Sequence, residues 1–268
     1  MKLIFVTKDA QLARTMGLAG VDRIMVDLEI NGKEQRQGHL NTVISRHTFH
    51  DVSAIRLALD SCGAGELMVR INPFSPGTEA EINEILARGA ERIMLPMFTH
   101  PDEVSRCLDI IAGRVPLTLL LETAAAFVRL PQILSIQGLD DLHIGLNDLH
   151  LDMGLDFMFE LFGSGLLDHA ANLIHAAGLS FGIGGVACIG TGMLPAELIL
   201  GAHMHLGSER VILSRTFAQL LDEGRSVKDE ISKLRAYLTQ EGLDLPALCQ
   251  ELSCRAWQIA SQKRSGIV

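Results

Sequence analysis

Two carboxylates stand at the ends of strongly apolar runs. Glu122 closes Leu117-Thr118-Leu119-Leu120-Leu121, and Asp148 closes His143-Ile144-Gly145-Leu146-Asn147. A carboxylate that ends a buried strand needs a partner, because an unpaired charge taken out of water is costly. Neighbouring parallel strands lie about 4.8 Å apart, so on adjacent strands both acids could meet one cation. Two carboxylates completed by waters and ligand oxygens is how Mg²⁺ is usually held, and Mn²⁺ suits the same donors. Zinc would call for histidine or thiolate, and neither stands at these strand ends. Each acid also has a plainer use: Glu122 as a helix cap or ion-pair partner, Asp148 as the cap of the segment that follows. The pair is more specific than either acid alone.

Arg70, in Leu67-Met68-Val69-Arg70-Ile71-Asn72, closes another apolar run. Its guanidinium is a planar fork of donors suited to a carboxylate, so it could clamp an anionic substrate or sit in a structural ion pair. Asp27, Glu29 and Asn72 share this kind of position. Other features carry less. Gly182-Ile183-Gly184-Gly185, with Gly190 and Gly192, matches neither GxGxxG nor a P-loop and reads as backbone kept close to a ligand. His47 and His50 form HxxH without a third ligand, and His203 and His205 fall near a helix end away from the strand ends. Ser164, in Gly-Ser-Gly, lacks the strand-turn-helix setting of a nucleophile elbow.

Short apolar runs alternate with longer amphipathic ones, the pattern of a parallel sheet wrapped by helices. Strands are expected near 2–7, 23–28, 66–72, 92–97, 116–122, 140–146, 180–185 and 210–215. Helices are expected near 9–19, 50–61, 78–89, 101–112, 125–136, 158–177 and 194–206, with Gly89, Gly113, Gly178 and Gly207 as left-handed stops. Eight strands and their helices make an α/β (β/α)8 TIM barrel, in which functional groups project from the carboxyl ends of strands. A doubly wound sheet would usually carry glycine after its first strand, whereas this chain has Thr7-Lys8-Asp9-Ala10. No linker interrupts the series, so residues 1–268 read as one domain with 217–268 as a C-terminal helical extension. The stretch 149–156 reads as a long loop at the catalytic face. Leu245, Leu248, Leu252 and Trp257 must cover either their own barrel or a subunit interface.

Bulk properties agree. The chain has 268 residues, 48% hydrophobic, with 25 glycines, enough to bury a core without disulfides. A net charge of -9, spread along the sequence, argues against nucleic acid or an anionic membrane as partner. Five cysteines without a CxxC pair suit a reduced, cytoplasmic setting. No apolar stretch reaches the roughly 20 residues needed to span a bilayer.

The strand ends resemble the HpcH/HpaI aldolase and citrate lyase beta-subunit family of the phosphoenolpyruvate/pyruvate barrel superfamily. The resemblance rests on Val26-Asp27-Leu28-Glu29, Val69-Arg70-Ile71-Asn72, Gly89 to Pro96, Leu121-Glu122-Thr123-Ala124, and Ile144 to Leu149 with Gly154. It implies that Glu122 and Asp148 bind Mg²⁺ and that Arg70 holds a pyruvate carboxylate or its thioester equivalent. Glu29 would lie just outside the metal's ligands, and the backbone at Pro96 and Asp148 would line the pocket. The implied activity is a metal-dependent carbon–carbon lyase of aldolase type, working through a Mg-bound pyruvate-like enolate of a 2-oxo acid. A CoA-thioester lyase of the citrate lyase type, or a non-catalytic barrel that binds metal and 2-oxo acid, is the alternative. One departure stands out: Ile30 follows Glu29, where the aldolase branch has a histidine base and the lyase branch an aspartate. Lys33, Glu34, His39 or His47 could substitute. A homo-oligomer is also expected, with the segment after Phe217 at its interface.

Overall fold

In the computed structural model, which describes residues 1–30, 47–217, 219 and 223–265, parallel strands close a barrel in chain order from β1 to β8. They are β1 (Lys2–Val6), β2 (Arg23–Asp27), β3 (Glu66–Arg70), β4 (Arg92–Leu95), β5 (Leu117–Leu121), β6 (Asp141–Ile144), β7 (Ser180–Val186) and β8 (Arg210–Leu213). The barrel shuts where β8 returns to β1, from Lys2↔Arg210 to Phe5↔Leu213. Each strand lies where its apolar run predicts.

The helices are α1 (Ala10–Leu18), α2 (Phe49–Cys62), α3 (Thr78–Ala87), α4 (Pro101–Ile111), α5 (Ala124–Val128), α6 (Leu130–Leu134), α7 (Leu146–Asp152), α8 (Glu160–Gly163), α9 (Leu166–Ala176), α10 (Ala196–His205), α11 (Val227–Leu238) and α12 (Leu245–Arg264). Gly89, Gly113, Gly178 and Gly207 all take positive φ after their helices, as their placement predicts. Two expected helices are interrupted. The one near 125–136 restarts at Leu130-Pro131, since proline has no N–H for a continuing ladder. The one near 158–177 breaks at Gly165, at φ 75°. The stretch 149–156, expected as loop, starts inside the helix α7, which ends at Asp152 and buries Leu146, Leu149 and His150 on one face.

Alternate residues of a strand face the same side, and this sorts the barrel interior into layers. At the amino-terminal end Asp141 accepts from Thr118 Oγ1 at 2.5 Å and pairs with Arg210 at 3.1 Å, Arg92 at 3.3 Å and Arg23 at 3.5 Å. Glu66 holds Arg23 and Arg92 from the other side. Above this plug lies a dry layer of Ile4, Met25, Met68, Met94 and Leu120. Above that, Asp27 and Arg70 end their strands facing inward. The residues between them, Ile24, Val26, Leu67 and Val69 among others, face the helices in the main core.

The C-terminal helix α12 packs on α10 and α8 of its own barrel, burying Leu252, Ala256 and Ala260. The contact is close: a Cβ on Gly201 would meet Leu248 at 2.7 Å. Trp257 remains 48% exposed. Among the described residues, no helix is long and apolar enough to cross a membrane.

Candidate active site

The register of β2 on β3 pairs Asp27 with Arg70. Both side chains point into the barrel mouth, where Arg70 donates from Nε and Nη2 to the two Asp27 oxygens, each at 2.8 Å. Glu29 reaches Nη2 at 3.4 Å. The fork expected to clamp a substrate is therefore engaged on Asp27 along one edge, because the register sets the acid directly opposite. Nη1 makes no hydrogen bond among the described residues. Burial alone would lower the Arg70 pKa, but Asp27, Glu29 and Glu122 reverse this and leave it raised.

Glu122 follows β5 and is 3% exposed. Its Oε1 accepts the Met97 N–H at 3.1 Å. Met97 holds φ 54°, a left-handed conformation unusual for a residue with a side chain, in the turn after Pro96. Opposite, Gly145 leaves room for the carboxyl, since a Cβ there would lie 2.8 Å from both Cβ and Oε2 of Glu122. Glu122 does not cap a helix. That place belongs to Thr123, whose hydroxyl accepts from Ala126.

Asp148 does not end β6, as the sequence predicts. The strand stops at Ile144, and Asp148 lies in the first turn of α7. The chain turns helical directly after Gly145, so the acid rises from a helix start. It still comes near Glu122. Burial pushes the Glu122 carboxyl up to about 8, Arg70 pulls it down, and Asp148 and Glu29 push it further up. A divalent cation taking the place of the carboxyl proton would offset the cost of ionising Glu122 here, and Mg²⁺ is commonly bound through one or two carboxylates with waters and ligand oxygens. Among the described residues no group of three or more His, Cys, Asp or Glu is arranged to hold a metal. Glu122 and Asp148 are the two carboxylates that would hold such an ion, with its remaining positions left to water and ligand oxygens.

Of the groups considered as substitutes at the Ile30 position, Lys33, Glu34 and His39 lie outside the described residues. His47 is buried, and its Nδ1 accepts the Asp27 N–H at 2.9 Å. When neutral, that ring carries its proton on Nε2. His50 points to solvent, so the HxxH spacing forms no pair. His203 is buried against Ser208 and His205 is exposed. Asn72, noted at its strand end, accepts the Ile30 N–H at 3.0 Å and donates to Glu81 at 2.8 Å, tying the chain after Glu29 to α3. Sequence reasoning misses Met97 and Gly145, whose contribution is backbone shape. Within Gly145-Leu146-Asn147-Asp148 the glycine was the available signal.

A (β/α)8 barrel whose carboxyl-terminal mouth gathers acids around one arginine defines a class of enzyme-like barrels. The chain belongs to the HpcH/HpaI aldolase/citrate lyase family, whose model matches residues 3–191. Among solved structures it resembles an HpcH/HpaI aldolase from Desulfitobacterium hafniense, with 14% identity over 91% of this chain and 94% of the other and a TM-score of 0.64. It also resembles an HpcH/HpaI aldolase/citrate lyase family protein from Burkholderia cenocepacia, with 15% identity over 87% and 94% and a TM-score of 0.66. Citrate synthase SbnG gives 14% identity over 88% and 94% and a TM-score of 0.63. At such identities these likenesses establish the fold. No curated protein matches.

Proposed function

We propose that the protein is a carbon–carbon lyase of aldolase type, cleaving or forming the C3–C4 bond of a 4-hydroxy-2-oxo acid. The observation that supports this most is Glu122: a buried carboxyl held by the Met97 N–H at 3.1 Å and seated against Gly145, with Arg70, Asp148 and Glu29 near enough to act on its charge. Glu122 and Asp148 would hold Mg²⁺ or Mn²⁺. When bound, the ion supplies Lewis-acid stabilisation of negative charge on the 2-oxo oxygen.

The chain's own groups do the rest. Arg70, fixed by Asp27, presents Nη1 to the substrate carboxylate. Glu29 steadies the same guanidinium. The backbone around Pro96 and Met97 orients Glu122 from one side, and Gly145 admits it from the other. The dry layer of Ile4, Met25, Met68, Met94 and Leu120 keeps water from entering below. In cleavage the C4 hydroxyl gives up its proton, the C3–C4 electron pair passes to C3, and C3 is then protonated, leaving pyruvate and an aldehyde.

Exchange of the pyruvate C3 protons for deuterium tests this without a second substrate. Exchange should require Mg²⁺ or Mn²⁺ and should vanish in Glu122→Gln and in Asp148→Asn. A wild-type protein that binds Mn²⁺ and pyruvate yet exchanges nothing would instead be a binding barrel.

A further inference from the structure

A cavity of about 480 Å³ opens beside the proposed site, on the β6–β8 side of the barrel mouth. Its inner wall is Asn147, the residue before Asp148, with Gly185 after the irregular part of β7 and Ser214 after β8. Its outer wall is apolar: Leu155, Phe157, Met158, Phe159, Leu194 and Ile199. Its volume falls in the range of about 300–1,000 Å³ that holds a whole drug-sized ligand, far more room than a three-carbon acid needs. Two glycines of the glycine-rich segment, Gly185 and Gly192, line it, and this is the use their pattern suggests.

The charges around it narrow the occupant. Among the described residues lining the cavity, Asp156 and Lys263 are the charged ones. Asp156 is paired with Arg264 at 2.7 Å, and the Lys263 ammonium sits 4.8 Å above the Phe157 ring. A coenzyme A arm would bring several phosphates and two amides into this space, and those need a cluster of cations and polar partners. His150 is turned back onto its own helix and held by the Leu146 carbonyl at 3.2 Å. The walls suit an alkyl or aryl group.

We infer that this cavity receives the carbonyl fragment of the reaction, and that this fragment is an apolar aldehyde, aromatic or medium-chain aliphatic. The inference rests on the lyase reading above and gives it a substrate class: 4-hydroxy-2-oxo acids with an apolar substituent on C4. In the synthetic direction the C3 carbon of pyruvate forms a bond to the aldehyde carbon. One C3 proton is lost, and the aldehyde oxygen gains one to become the C4 hydroxyl, so no oxidant or further reactant is required.

The test pairs deuterium exchange at pyruvate C3 with aldol synthesis from pyruvate and either phenylacetaldehyde, octanal or glycolaldehyde, using the full chain with Mg²⁺. The expected result is exchange together with a kcat/KM for the apolar aldehydes at least about tenfold above that for glycolaldehyde, as a shape-matched apolar pocket gives. Ala187→Leu, which fills the cavity from the β7 side, should abolish that preference while leaving pyruvate exchange and glycolaldehyde addition intact. Met158→Trp fills it from the opposite wall and serves if the first variant fails to fold. Binding of unreactive 2-phenylethanol, followed by NMR without metal or pyruvate, should weaken in the same variants. Exchange without an apolar preference, or a preference unchanged in both variants, would overturn the cavity assignment and leave the lyase reading standing, whereas better turnover of a malyl thioester would overturn both. Absence of exchange would end both.

Discussion

Gly145 and Glu122 share a space that admits only one side chain: a Cβ on Gly145 would stand 2.8 Å from both the Cβ and the Oε2 of Glu122. The glycine has φ -86° and ψ 93°, which alanine adopts without strain. The glycine is therefore required by the approach of the carboxyl and not by its own backbone. Gly145→Ala should fold, with a stability loss of about 1–3 kcal/mol from overpacking. It should weaken Mn²⁺ binding by about tenfold or more, because a displaced carboxylate loses its coordination geometry. Calorimetric titration checks this, and unchanged affinity would show that Glu122 is not a ligand.

Arg70→Lys should lose most affinity for oxalate, a pyruvate mimic, while keeping the metal. Lysine cannot hold both Asp27 oxygens and also offer a donor edge to a ligand. Each lost charge-assisted hydrogen bond costs about 1.5–3 kcal/mol, so oxalate affinity should fall by at least about tenfold. Wild-type affinity in Arg70→Lys would make the arginine purely a partner of Asp27.

Metal binding should release protons. Without metal the Glu122 carboxyl titrates at about 8, so near neutrality a divalent cation must displace its proton. Affinity should rise with pH up to about 8 and then level off. Calorimetry in buffers of different ionisation enthalpy reads the protons directly. The linkage to stability has the matching sign. The folded pKa lies above the unfolded value of 4.5, so the metal-free fold loses stability as pH rises from 4.5 to 8. Added Mg²⁺ should therefore raise Tm more at pH 8 than at pH 6.

Most of this architecture is legible in the sequence, and the parts that are not share a physical reason. Apolar runs of strand length locate all eight strands, because a parallel barrel buries both faces of each. Glu122, Asp148 and Arg70 stand out as charges at the ends of such runs. Asp148 sits on a helix instead of a strand because periodicity cannot place a boundary within a run such as Ile144 to Leu149. The pairing of Asp27 with Arg70 depends on register between strands distant in sequence, which a single run does not encode. The plug at the barrel's other end had a signal: Arg23, Glu66, Arg92, Asp141 and Arg210 each open a strand.

That plug predicts a stability effect remote from the chemistry. Asp141 takes four donors, from Thr118, Arg210, Arg92 and Arg23, and is 3% exposed. Asp141→Asn would leave buried guanidinium groups undercompensated, and breaking a buried ionic network in this way costs about 3–5 kcal/mol. Thermal unfolding should show the loss, while Mn²⁺ affinity at the opposite end of the barrel should stay at the wild-type level. A Tm equal to wild type would show that water or rearranged partners replace the carboxylate.

Two buried histidines should make the protein labile to acid. His143 donates from Nε2 to the Gly184 carbonyl at 3.0 Å; as a carbonyl can only accept, Nε2 carries the proton. Its Nδ1 is buried without a partner among the described residues, so no acceptor awaits a second proton. Burial lowers its pKa to about 4, and burial likewise lowers that of His203 to about 3. Both folded values lie below the unfolded value of 6.5. Between pH 6.5 and about 4 the unfolded chain binds protons at these sites and the folded chain does not. Stability is then fully present above pH 6.5 and falls as pH drops. The slope is about 1.4 kcal/mol per pH unit for each histidine, and it flattens for His143 below its folded pKa. Urea unfolding at pH 7, 6 and 5 reads that slope. His143→Gln keeps a donor for Gly184 and does not titrate, so it should remove about half of the slope assigned to these two residues. An unchanged slope in that variant would show that His143 gains its proton in the folded protein at its ordinary pKa.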